Sequence, residues 1–160
     1  TRGSHMPLLD DVVVREFRMD DKQLVTDFFD QMGGESRSFI NRGDSSRILS
    51  MKFFEGITED RVMFLAEYEG RMVGFIFLFE NNTSIPFFGI AVHDAYKGRR
   101  IGEKMIEHIK LYARAHGKGG LFLTVHPANV RAQALYERVG FKRMGVHHSG
   151  ENLYVFRFED

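Results

Sequence analysis

The sequence predicts one mixed α/β domain: a central, mostly antiparallel mixed sheet of about seven strands with helices on both faces. Three observations predict it. Short β-branched and aromatic runs alternate with segments whose apolar residues recur at helical spacing. Glycines and polar clusters punctuate nearly every boundary. One unit, residues 87–125, reads strand, basic loop, helix, strand, the order of a parallel crossover, while the remaining strands favour hairpins.

The elements follow in order. Val12–Phe17 is a β-branched first strand. Asp20 is placed to cap a helix in which Leu24, Val25, Phe28, Phe29 and Met32 form the apolar stripe, with Gly33-Gly34 as its stop. Residues 34–44 make a polar loop, and Ser45 or Ser46 opens a second helix to about Glu55. Val62–Tyr68 and Met72–Glu80 are strands joined by a Glu-Gly turn, a hairpin signal. Phe87–Val92 is the next strand. The longest helix runs from about Ile101 to His116 on a buried stripe of Ile101, Met105, Ile106, Ile109, Tyr112 and Ala113. Leu121–Val125 is a strand, and Asn129 caps a helix to about Val139. Phe141–Val146 and Leu153–Phe158 close the chain as an antiparallel pair.

The chain has 160 residues, enough for a sizeable single core. Residues 1–6, TRGSHM, read as an expression-tag remnant, and residues 7–160 as one domain. Lys+Arg and Asp+Glu both total 22, so net charge gives no support for a nucleic-acid or membrane partner. There is no cysteine, which excludes disulfides, thiolate catalysis and Cys-ligated metals and fits a cytoplasmic protein. The longest apolar run, Met72–Phe79, is too short to span a bilayer. His147-His148 on a hairpin turn lack a third ligand, so no metal is expected.

The chemistry concentrates in FFGIAVHDAYKGRRIG, residues 87–102. A strand stops, a polar turn follows, and a Gly- and Arg-rich loop opens a helix. Helix N-termini offer unpaired N–H groups and partial positive charge to an anion. Gly98 and Gly102 lack a Cβ, which lets backbone approach a ligand closely. Lys97, Arg99 and Arg100 add full charges. The pattern predicts a phosphorylated ligand. It is neither a Walker A loop nor a dinucleotide fingerprint, and a solvated helix start with incidental arginines remains the plain alternative.

Together with LTVHPANVRAQALYERVGF downstream, this segment resembles the GNAT acetyltransferase superfamily. Lys97, Arg100 and Gly102 stand at that family's phosphate-loop positions after a strand ending at Val92. Asn129, Ala132, Leu135, Tyr136, Glu137, Gly140 and Phe141 match its later helix pattern. Lys97 replaces a usual Gln or Arg, and Arg100 replaces a glycine whose role it keeps only with helical φ. The resemblance implies a sheet splayed between the strands at 87–92 and 121–125, with acetyl-CoA in the splay. The implied coenzyme contacts are Ile90, Ala91 and Val92 along the strand, Lys97, Gly98, Arg99, Arg100, Ile101, Gly102 and Glu103 at the pyrophosphate, and Asn129 and Tyr136. It implies an N-acetyltransferase acting on a primary amine by direct attack in a ternary complex, and homodimers are frequent in the family. A coenzyme A-binding module without transfer activity is the alternative.

Acyl transfer to an amine needs a base, a donor to the thioester carbonyl and an acid for the departing thiolate. The resemblance gives Tyr136 the acid role, while its helical face, shared with Ala132, Leu135 and Val139, also fits simple packing. The N–H of Val92 is the candidate carbonyl donor. Relatives carry a base Glu on the strand before the loop, where Ser84–Phe88 holds no carboxylate, or on the later strand, where this chain has Thr124. Strand alternation puts Phe122, Thr124 and His126 on one face, which makes His126 a base candidate beside Glu80 and Glu35, with a water chain and no dedicated base as the equal alternative. In the family the loop after the first helix shapes the acceptor pocket, so Glu35, Arg37 and Phe39 are candidate acceptor contacts.

Overall fold

The computed structural model describes residues 11–32, 55, 61–79 and 81–159. Strand β1 (Val13–Glu16) leads into a short turn of 3-10 helix and then α1 (Lys22–Asp30). Strands β2 (Val62–Tyr68) and β3 (Arg71–Phe79) form a hairpin. Its two turn residues, Glu69 and Gly70, both have positive φ, which matches the right-handed twist of the flanking strands. Strand β4 (Phe87–Val92), helix α2 (Ile101–Ala115) and strand β5 (Gly120–Val125) form the crossover. Helix α3 (Val130–Arg138), β6 (Lys142–Val146) and β7 (Asn152–Arg157) follow.

The seven strands form one sheet in the order β1-β2-β3-β4-β5-β7-β6. Every neighbouring pair is antiparallel except β4 and β5. Alternation along β2 divides the core between the two faces. Phe64 and Ala66 join the α2 and α3 side, with Ile101, Met105, Ile106, Ile109 and Tyr136. Met63 and Leu65 join the α1 side, with Val25, Phe28 and Phe29. The expected mixed sheet with helices on both faces is therefore present. The expected helix at 45–55 lies outside the described residues apart from Glu55, which is helical.

The first helix starts differently from expectation. Asp21, not Asp20, organises its entry: the Asp21 carboxylate accepts the Arg18 N–H at 2.7 Å and two guanidinium N–H groups of Arg15 at 2.9 and 3.0 Å. Arg15 also donates to Glu67 on β2 at 3.0 Å. Asp21 is 3% exposed, so this ion pair ties β1, β2 and α1 through a buried charge. The Arg15 contact holds the Asp21 carboxyl below its usual range. Removing one partner of such a pair leaves the other charge poorly compensated. Asp21→Ala is expected to cost about 3 kcal/mol, the low end for a buried pair because Glu67 still faces Arg15. Urea unfolding checks this; a loss below about 1 kcal/mol, the worth of a surface pair, contradicts it.

Candidate active site

The site begins where β4 and β5 part. They share a single pair, Phe87↔Phe122, next to the Phe122 N–H donating to the Pro86 carbonyl at 3.1 Å. Beyond it β4 runs on to Val92 with no partner on that side among the described residues, and Gly89, Ile90, Ala91 and Val92 are half-buried although β4 is central. The other edge of β4 is fully paired with β3, from Phe79↔Phe87 to Gly74↔Val92. His93 N–H donates to the Val73 carbonyl at 2.7 Å, which sets the phase of that ladder. Backbone groups alternate edges along a strand. Ala91 and Gly89 therefore bond toward β3, and the N–H groups of Ile90 and Val92 point into the gap toward β5.

The basic loop stands at the open end of this gap. His93 caps a 3-10 turn (Asp94–Tyr96) by accepting the Ala95 N–H on Nδ1 at 3.0 Å, while its Nε2 lies 2.8 Å from Gln31 Oε1 on the α1 side. That pairing makes Nε2 the protonated nitrogen. The Lys97 N–H closes the turn onto the Asp94 carbonyl at 3.4 Å, and the Lys97 ammonium pairs with the Asp94 carboxylate at 3.1 Å. Lys97 thus engages the loop itself through both groups. The Arg99 guanidinium lies over the Tyr96 ring, 5.9 Å from its centroid.

Gly98 has φ +85°, a conformation that favours glycine. Arg100 has φ 62° and ψ 22°. This corrects the expectation of helical φ there: Arg100 occupies the left-handed region that glycine adopts most readily. It is the N-cap residue of α2, and its side chain makes no capping hydrogen bond. The first helix amide bonded along the chain is that of Lys104, to the Arg100 carbonyl at 3.1 Å. The amides of Ile101, Gly102 and Glu103 precede it and have no partner one turn back.

Gly102 corrects the sequence reading in one respect. A Cβ there would meet Leu135 Cδ2 at 3.0 Å, Val92 Cγ2 at 3.8 Å and Ile90 Cδ1 at 3.9 Å. The missing side chain faces protein, so Gly102 serves close packing of α2 against β4 and α3. Its backbone N–H remains a first-turn amide. The Glu103 carboxylate pairs with Arg138 on α3 at 2.6 Å. Asn129 Oδ1 caps α3 by accepting the Ala132 N–H at 3.2 Å.

Tyr136 is 5% exposed and packs edge-on to Phe88 of β4 at 6.2 Å and against Tyr154 of β7 at 6.1 Å. It lies on the α2 side of the sheet, between the two strands flanking β5. Its hydroxyl makes no hydrogen bond among the described residues, unusual for a buried tyrosine. Burial raises its pKa, so the phenol keeps its proton at neutral pH.

The base candidates separate. His126 is exposed at the end of β5 and accepts the Ala128 N–H on Nδ1 at 3.0 Å, so it caps the turn into α3 and a neutral ring carries its proton on Nε2. Glu80, Glu35, Arg37 and Phe39 lie outside the described residues. One contact was not anticipated: the Thr124 hydroxyl donates to Glu151 Oε1 at 2.8 Å. The sequence marks Glu151 only as a turn residue. Its meeting with Thr124 depends on the β5–β7 register, in which Thr124 opposes Leu153. Among the described residues no group of three metal-ligating side chains forms, and no helix is long and apolar enough to cross a membrane.

A split mixed sheet with an uncapped helix start at the mouth of the split makes this an α/β domain of open-sheet type. A profile of the Acetyltransferase (GNAT) family matches residues 25–141, and the chain belongs to that family. It is 37% identical over 97 residues to the 5-NmdU N-acetyltransferase of Pseudomonas phage PaMx11, covering 58% of this chain and 66% of that protein. It is 33% identical over 97 residues to the N-alpha-acetyltransferase RimI of Mycobacterium tuberculosis, covering 55% of this chain and 60% of that one. Both matches span less than two thirds of the relative. The GNAT domain of S. lividans PAT superposes with a TM-score of 0.77 at 21% identity, covering 91% of this chain and 89% of that domain, a likeness of fold.

The position of His93 has a measurable consequence. Burial, with a smaller push from Arg71 and an opposing pull from Asp94, lowers its pKa below the usual 6.5. Burial also lowers that of His108, which packs on Phe64. Unfolded histidines protonate near pH 6.5 and these folded ones resist, so their contribution to stability is complete above that pH and is lost as pH falls through the lower folded values. Protonated His93 also loses the acceptor for Ala95. The urea midpoint is expected to fall between about pH 7.5 and 5.5, above the carboxylate range, with faster amide exchange at Ala95. A flat midpoint across that window contradicts the assignment.

Proposed function

We propose that the protein is an N-acetyltransferase that moves the acetyl group of acetyl-CoA to a primary amine by direct attack in a ternary complex. One observation carries the reading: the Ile90 and Val92 amides point into a gap in mid-sheet, directly beside the uncapped first turn of α2. A pantetheine chain is a strand-like partner for such an edge, and a pyrophosphate suits the Gly98–Glu103 turn. Ile90, Ala91 and Val92 line the arm. The amides of Gly98, Arg100, Ile101, Gly102 and Glu103 receive the phosphates, with Arg99, Arg100 and Lys97 supplying charge around them. Asn129 and Tyr136 of α3 complete the coenzyme contacts in this reading.

Acetyl-CoA supplies an activated thioester. The Val92 N–H polarises its carbonyl, and Tyr136 donates its proton to the leaving sulfur. Burial keeps the phenol protonated, so a proton is held ready where the sulfur departs. The absence of cysteine excludes an acyl-cysteine route and favours direct attack. The names of the relatives offer two acceptors to try: 5-NmdU from the phage protein, or an α-amine from the mycobacterial one.

Calorimetry with acetyl-CoA, and thiol release with 5-NmdU and an alanine-ended peptide, test this. Tyr136→Phe is expected to lower kcat about 100-fold, the scale of one general acid, with acetyl-CoA affinity unchanged. Full activity in that variant removes the acid role. Coenzyme binding without release of thiol to any amine supports a non-catalytic binding module instead.

A further inference from the structure

We propose that Glu151, held by Thr124, is the group that takes the proton from the acceptor amine; the inference rests on the acetyltransferase reading above. Thr124 stands two residues past Phe122, beyond the last pairing of β4 with β5. Along β5, Leu121, Leu123 and Val125 are buried in the core shared with α2 and α3, so Thr124 faces the other side of the sheet. The Glu151 carboxylate is brought there from the β6–β7 hairpin and accepts the Thr124 hydroxyl at 2.8 Å. Its backbone is fixed on both sides: its carbonyl accepts the His147 N–H at 2.7 Å and its N–H donates to Ser149 Oγ at 3.4 Å. The carboxylate is thus a built feature of the hairpin, half-buried rather than waving in solvent.

The face it occupies is suited to an incoming amine. Phe77, Phe79, Phe87 and Phe122 line it as half-buried rings in successive contact, at 4.5, 5.4 and 5.3 Å between centroids. Tyr136 lies on the opposite face, in the core beneath α2 and α3. Acid and base on opposite sides of the gap is the arrangement that direct attack needs, with the nucleophile arriving from one side and the sulfur departing toward the other. The other carboxylates nearby are bound to strong donors: Glu103 to Arg138, Asp94 to Lys97, and Glu137 to the Tyr154 hydroxyl at 2.9 Å. Each of these carboxylates is already occupied as an acceptor within the fold. Among the described residues Glu151 has no cationic partner. The titratable groups around it are His147 and His148 in its hairpin and His126 at the end of β5, while Arg143 of β6 is turned to Asn152.

The proton ledger closes. Glu151 takes one proton from the ammonium, and the freed lone pair forms the N–C bond as the C–S bond breaks. The sulfur takes the Tyr136 proton. The second proton lost by the nitrogen returns Tyr136 to its phenol through solvent, and Glu151 releases its own to water. Ammonium and thioester become amide, thiol and one proton.

The test measures kcat/KM for the full chain, E151Q and T124V between about pH 6 and 10, with 5-NmdU and an alanine-ended peptide, alongside acetyl-CoA affinity by calorimetry. E151Q is expected to lose about 100-fold or more at neutral pH and to regain rate as pH rises and the amine deprotonates by itself. Its acetyl-CoA affinity stays at the unmutated value. T124V is expected to show a smaller loss with the same change in pH profile, the signature of positioning. If the unmutated protein acetylates an amine and E151Q matches it, or E151Q raises KM with an unchanged pH profile, the assignment of Glu151 is overturned while the activity stands. If the unmutated protein neither binds acetyl-CoA nor acetylates either amine, the acetyltransferase reading itself falls.

Discussion

A backbone edge left open in the middle of a sheet governs this structure. Unpaired amides inside a protein are costly, and folds normally close them by adding a strand. Here β5 abandons β4 after Phe87↔Phe122, yet the sheet continues through β7 and β6 on the far side. What holds the halves together is packing across the α2 face. Ile101, Met105, Ile106 and Ile109 of α2 bury against both β3 and β5 residues, and Gly102 lets α2 close on Leu135 of α3. The helix that spans the two halves is also the helix whose first turn faces the open edge. Core packing and ligand chemistry are therefore set by one element.

The two helix starts near the gap are built in opposite ways. At α3, the Asn129 side-chain oxygen accepts the Ala132 N–H and closes the first turn with a side chain. At α2, Arg100 makes no such cap and accepts a left-handed backbone, which costs a non-glycine residue about 1 kcal/mol. A Ser or Asp at position 100 would quench one of the amides that an anion needs. An arginine leaves them without a side-chain cap and adds a positive charge. The local strain is the consequence of keeping the turn uncapped without using glycine.

Much of the fold was legible because it rests on local signals. The crossover from Phe87 to Val125 follows from a strand-length apolar run, a glycine-marked loop and a helical stripe, and its strand and helix limits agree within a residue or so. The entry to α1 was misread because Asp20 and Asp21 are equally good caps in sequence. Only the approach of Arg15 from β1 selects Asp21. Gly102 was read as room for a ligand because a missing Cβ looks the same in sequence whether it faces a ligand or a neighbouring helix, and Leu135 shows that it faces the helix. The Thr124–Glu151 contact was invisible for a different reason. It joins residues 27 apart through a strand register that no local pattern fixes.

That long-range contact bears on how one scaffold tolerates a missing carboxylate. A base must stand near the point where β4 and β5 diverge, but it need not belong to either strand. A threonine on β5 is too weak an acid–base group to act by itself, yet its hydroxyl is a good hydrogen-bond donor. Pairing β7 antiparallel to β5 places the residue just ahead of β7 beside the end of β5, so a glutamate at that position reaches the same space from the neighbouring hairpin. The sheet then separates the two proton-handling groups by its own thickness, the phenol among the helices and the carboxylate on the aromatic face. Burial among the helices keeps the phenol protonated, while the carboxylate is held at the edge of the aromatic face by the Thr124 hydroxyl.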